Sequence, residues 1–166
     1  MAQKPSIHVI GTTQLLAKLR KMGANTPFEA ELALKAASIL AQEKIKRKLG
    51  PEGGSRTGVL YPTGKKGKYA FHQASAPGEP PAVMSGKLRA AIDYKTKRTR
   101  NGAEANVGPI GKGSEDLFSY PRDLELGNKK IRPRPYLWST IVENKTLIVN
   151  EIKDSLKTSM SKYRGL

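Results

Sequence analysis

The sequence predicts an α+β fold: a small antiparallel sheet packed against a long helix and a C-terminal helix, with a long basic loop between them. Three observations carry that expectation. Residues 27–48 are alanine-rich and end in a lysine cluster, residues 137–160 repeat apolar side chains at helical spacing, and residues 88–107 alternate around an Asn-Gly dipeptide. Helical period early and late, with strand period between, suits helices that cover one face of a sheet. At 166 residues the chain is expected to form a single domain, 1–166, with a long loop insertion at about 50–83. A chain of this length buries about 70% of the surface its unfolded form exposes, enough for a core without staples.

Ser6-Ile7-His8-Val9-Ile10 alternates and stops at Gly11, as a short first strand does. Thr12 or Thr13 then caps a brief helix with Leu15, Leu16, Leu19 and Met22 at helical spacing, and Gly23 ends it. A longer helix starts at about Pro27, because proline suits the first turn and Glu29 and Glu31 suit the positive end of the macrodipole. Its apolar face is expected to combine Phe28, Leu32, Ala36, Ile39 and Leu40, with Ala33, Ala37 and Ala41 allowing close approach. Lys44, Lys46, Arg47 and Lys48 favour the negative end, and Gly50-Pro51 stops the helix.

From Glu52 to about Val83 no periodicity survives, which predicts a loop of a length usually functional or disordered. Tyr61, Tyr69, Phe71 and His72 interleave there with Lys65, Lys66 and Lys68. Such a set serves as a stacking platform for single strands, or equally pins the loop to its own domain or to a neighbour. Ala74 to Leu88 is the most densely punctuated stretch. Pro77, Pro80 and Pro81 fix their own backbone angles and push the preceding residues toward extended conformations, while Gly78 supplies a positive φ and Glu79 lies between them. A loop so constrained is pre-shaped and loses less entropy on docking, although ordinary surface connectors share the composition.

Leu88, Ala90, Ile92 and Tyr94 alternate as in a half-buried strand, and Arg100-Asn101-Gly102 is a strong hairpin turn. Ala103, Ala105 and Val107 continue on a return strand to Gly108-Pro109. Lys97, Arg98 and Arg100 charge the tip, either as a projecting basic arm or as protection of a sheet edge. Leu117 to Leu126 suits an irregular strand or short helix ending at Gly127, and Pro133 and Pro135 fix an extended approach to the final helix. In that helix, from about Tyr136, Leu137, Ile141, Ile148, Ile152, Leu156 and Met160 follow one face.

The formal charge is +16, and residues 44–100 hold +11 of it. Like charge in a compact state costs self-repulsion, so an acidic partner, nucleic acid or counterions must offset it; a solubilising surface is the plainer account. The absence of cysteine excludes disulfides, thiolate nucleophiles and cysteine-based zinc sites. No apolar core of signal-peptide type and no membrane-spanning run is present, so a soluble protein, intracellular where it is made, is expected. His8 and His72 lack metal-ligand or triad companions at recognisable spacing, and no catalytic acid set stands out, so no enzyme, no cofactor and no metal site is expected. Gly58 to Lys65 fails as a phosphate loop, since five residues separate Gly58 from Gly64 and Lys66 stands where Ser or Thr is required. Asn144-Lys145-Thr146 matches a glycosylation sequon inside an expected helix and is assigned to chance.

The early helix to Met22, the long alanine-rich helix to Leu49, the loop, Ser85-Gly86-Lys87-Leu88 opening a strand, Glu125 with Gly127, and Pro135-Tyr136-Leu137 opening the last helix follow one another in an informative order. In that order the chain resembles the neck proteins of long-tailed bacteriophages, the head-tail connector or tail-completion family. The resemblance implies a small sheet with flanking helices, ring assembly, commonly of six subunits, and a place in the virion neck after assembly in the host cytoplasm. It implies adjacent neck and tail proteins as partners, passing contact with genomic DNA and no membrane. The long insertion from Gly50 to Gln73 and the strong basicity depart from the family pattern. Expected subunit or partner contacts are Lys65, Lys66, Lys68, Tyr69, Pro77, Gly78, Glu79, Pro80, Pro81, Lys97, Arg98, Arg100, Glu125 and Arg134. A small basic nucleic-acid-binding module is the alternative of a different class. A hydrolase dependent on His72 is a third.

Overall fold

A computed structural model describes residues 13–21, 25–50, 56, 58–62, 71–100, 102–117 and 119–163. The expected strand at Ser6–Ile10 with His8, the helix stop at Gly23, the basic loop residues Lys65, Lys66, Lys68 and Tyr69, and Asn101 of the hairpin turn lie outside the described residues. The fold is α+β, with a small two-stranded antiparallel sheet packed against the long helix and the C-terminal helix. Chain contacts group the described residues into two compact units. One draws on Met1–Gln42, Tyr94–Gly108 and Glu143–Leu166, the other on Glu43–Asp93 and Pro109–Val142.

The helices α1 (Thr13–Lys21) and α2 (Thr26–Lys48) fall where capping residues and alanine content place them. Asn25 precedes α2, its carbonyl accepting Phe28 N and Glu29 N, both at 3.0 Å, and its side-chain Oδ1 accepting Phe28 N at 3.4 Å, with Pro27 in the first turn as expected. The inward face differs from expectation. Ala30, Ala33, Ala37 and Ala41 are buried, whereas Phe28, Leu32 and Ile39 are 38–42% exposed. Both stripes have helical spacing; the small side chains face inward because they let a neighbouring backbone come close, and the large ones are left outside.

Within the first unit, β3 (Ile92–Thr99) and β4 (Gly102–Pro109) form the hairpin, and α6 (Lys145–Tyr163) closes over the core with Ile148, Ile152 and Leu156 buried. Two carboxylates on α2 join these elements. Buried Glu29 accepts the Ser159 hydroxyl and, at 3.1 Å, the Tyr163 hydroxyl from α6. Glu31 accepts Thr96 and pairs with Arg98 of β3, whose guanidinium also lies 5.0 Å from the Phe28 ring centroid.

The second unit holds most of the departures. The stretch 52–83, expected to be wholly irregular, contains a ladder: β1 (Leu60–Pro62) pairs antiparallel with β2 (Phe71–Gln73), in the register Leu60↔Gln73, Tyr61↔His72, Pro62↔Phe71. Three residues per strand are too few for an alternation to show. Leu88 and Ala90 belong to one helical turn, α3 (Lys87–Ala91), which follows Gly86 at φ 72°, and the strand starts only at Ile92. Ser85-Gly86-Lys87-Leu88 therefore opens a helix. A single 3-10 turn (Glu115–Leu117) precedes α4 (Tyr120–Leu126). The expected last helix is two, α5 (Trp138–Glu143) and α6, divided by a turn at Asn144.

Candidate docking groove

Ala76-Pro77-Gly78-Glu79 forms a tight turn closed by Glu79 N to the Ala76 carbonyl at 3.2 Å, with Gly78 at φ 86°. Proline then glycine at the two central positions is the composition a type II turn requires. The Glu79 carboxylate accepts the Ala76 N–H at 3.2 Å, so this acid reinforces its own turn. Gly78 N donates to the Pro133 carbonyl at 2.9 Å and Arg134 Nε to the Ser75 carbonyl at 3.1 Å. The proline-rich loop is thereby laced to residues 131–134. Gly58 closes over it from the β1 side, where a Cβ would lie 2.5 Å from the Ser75 carbonyl oxygen.

Residues 131–134 are positioned from behind by α4 and a polar turn. Arg134 N donates to the Leu124 carbonyl at 2.6 Å, and the Asn128 side chain accepts the N–H groups of Lys130 and Ile131, both at 2.8 Å. Glu125 reaches across to the start of α5, where its carboxylate accepts N–H of Tyr136 at 2.8 Å, Leu137 at 2.9 Å and Trp138 at 2.7 Å. The first N–H groups of a helix have no partner in the helix itself, so one acid here supplies the cap for α5 and ties it to α4. Gly127, which ends α4 at φ 73°, admits no side chain, since a Cβ would meet Pro133 Cδ at 2.8 Å.

Between these segments lies an open groove of about 750 Å³, wholly within the second unit. Its apolar walls are Val59 of the ladder, Pro77, Pro81 and Met84 of the loop, and Leu124 of α4; Val59 and Met84 are both 64% exposed. Lys130, Arg132 and Arg134 supply three positive charges, and among the described residues no carboxylate lines it. Tyr120 completes it; burial raises its pKa and the Arg134 charge opposes the shift, so its hydroxyl stays protonated at neutral pH. Ser75 is fully buried beside the groove, and among the described residues its hydroxyl has no hydrogen-bond partner, a state that costs about 1–3 kcal/mol. Among the described residues no set of three His, Cys, Asp or Glu converges as metal ligands, and no helix is long and apolar enough to cross a membrane.

The expected contact residues divide accordingly. Pro77, Gly78, Glu79, Pro80, Pro81 and Arg134 come together in the loop and its anchor, with Pro77 and Gly78 exposed and Pro81 buried. Glu125 is held by α5. Lys97, Arg98 and Arg100 are exposed on the hairpin of the first unit, where Arg98 is paired with Glu31. Sequence reasoning missed Val59, Met84, Tyr120, Lys130 and Arg132. One signal for the cations was present: in Arg132-Pro133-Arg134-Pro135 each arginine precedes a proline, which favours extended backbone and sets alternate side chains on one side. No protein-family model, curated protein or solved structure matches this chain.

Proposed function

We propose that the chain is a structural assembly protein of the neck of long-tailed phages, a subunit of a ring that completes the tail or joins head to tail. The observation that carries this reading is the outward face of α2. A helix that buries its alanines and exposes Phe28, Leu32 and Ile39 leaves apolar surface that a second molecule would cover. A ring closed by heterologous contacts needs two different patches on each subunit, and the second unit offers another, at Leu60 and Phe71. The order of motifs that resembles the neck family agrees with this assignment. Phage lacking the gene should accumulate separate full heads and tails; intact infectious particles would refute the role, and tails of uncontrolled length would move the protein to the tail-terminator position.

One observation favours the reading as a nucleic-acid-binding module: Lys95, Lys97, Arg98 and Arg100 are all exposed along the hairpin. That reading requires affinity for DNA that falls steeply with salt, and a salt slope that shrinks when these four charges are reversed.

A further inference from the structure

The geometry points to the groove of the second unit as a docking site for an extended acidic segment of a neighbouring protein, one carrying apolar side chains between its carboxylates. This goes beyond the ring reading and holds whether or not the chain closes rings, since the groove lies within one unit.

Charge selects the ligand. Lys130, Arg132 and Arg134 line the groove with no carboxylate among them, and the side chains of Lys130 and Arg132 are exposed and unpaired among the described residues. Arg134 uses Nε on the Ser75 carbonyl, which leaves its terminal nitrogens to form a two-pronged bond with a carboxylate. Shape selects an extended chain. Arg132 and Arg134 each precede proline, and alternate residues of extended backbone stand roughly 6–7 Å apart, the spacing of carboxylates at every second position of a partner strand. The walls then select apolar side chains between those acids: Val59 and Met84 are exposed beside Pro77 and Leu124. A nucleic acid fits less well, because single-strand sites stack successive bases on aromatic faces, and the rings in this lining are Tyr120 and a half-buried His72 set among aliphatic walls.

The test uses the full chain and a short fluorescein-labelled peptide alternating glutamate and leucine, followed by anisotropy. Binding should weaken at least tenfold in the double variant Lys130→Glu, Arg132→Glu, and at least several-fold in Met84→Glu. The charge-matched variant Lys95→Glu, Lys97→Glu, on the hairpin, should bind as the parent does. Replacing the leucines of the peptide by serine should also abolish tight binding. Circular dichroism of each variant checks that it is folded. Equal losses in the groove and hairpin variants would mean attraction to net charge and would overturn the site. So would a labelled oligothymidine that binds more tightly than the peptide and loses affinity in the same groove variants.

Discussion

Glu125 satisfies three backbone donors with one carboxylate, so its removal strands all three at the start of α5. Glu125→Ala should cost roughly 2 kcal/mol in urea unfolding, and Glu125→Gln, which retains an acceptor oxygen, less. Tyr136 gives a pH dependence. It is buried with its hydroxyl on the Pro121 carbonyl, and burial first, then Glu125 and Tyr120, raise its pKa. An unfolded tyrosine releases its proton near pH 10 while the buried one keeps it, so the contribution is full below about pH 10 and is lost as pH rises beyond. Tyr136→Phe should flatten that alkaline decline, read by unfolding at about pH 8 and about pH 11. Little of this was legible beforehand. Glu125 meets Tyr136, Leu137 and Trp138 across eleven to thirteen positions, a separation set by the fold of the intervening turn and by no local period. The acid reads in sequence as a contact for partners, and the structure adds its role as a brace within the unit. Arg134 reads in sequence as a partner contact, and its flanking prolines announce the extended backbone it sits on, but the groove it lines was not legible.

At the scale of elements, α2 inverts the usual ranking of apolar positions. Ala37→Leu should overpack the buried face and cost about 1–3 kcal/mol, whereas Leu32→Ala on the exposed face should stay within about 0.5 kcal/mol of the parent. Chemical denaturation of the two variants checks this, and the opposite order would restore the face expected from side-chain size. The start and end of α2 were readable because caps and charge mark them chemically. Its orientation was not, because two apolar stripes of the same period run along it and spacing alone does not choose. The break at Asn144 was hidden for a related reason: Ile141 and Ile148 lie two helical turns apart, so the apolar rhythm runs straight through the interruption. At Leu88 and Ala90 a single turn is too short for a helical period to be told from alternation.

For the molecule as a whole, the charge of +16 predicts opposite salt responses for the proposed self-association and the proposed groove binding. The proposed self-association through Phe28, Leu32 and Ile39 would work against repulsion, so sedimentation should show it strengthening as the screening length falls below about 10 Å, near 0.1 M salt. Acidic peptides should leave the groove over the same range. The double variant Leu32→Glu, Ile39→Glu should remain monomeric at every salt concentration while still taking up peptide. The excess of positive charge was plain in the sequence; where it gathers beside apolar walls depended on a ladder and a turn that only the folded chain brings together. Gly127 leads to a different kind of expectation. Its backbone angle and the Pro133 ring pressed against it forbid any side chain, and Glu125 two positions earlier has its own irreplaceable task. Kin that have drifted until nothing else aligns should still spell Glu-x-Gly and then, six residues after the glycine, proline, so this short word is the one to carry into a hunt for lost cousins.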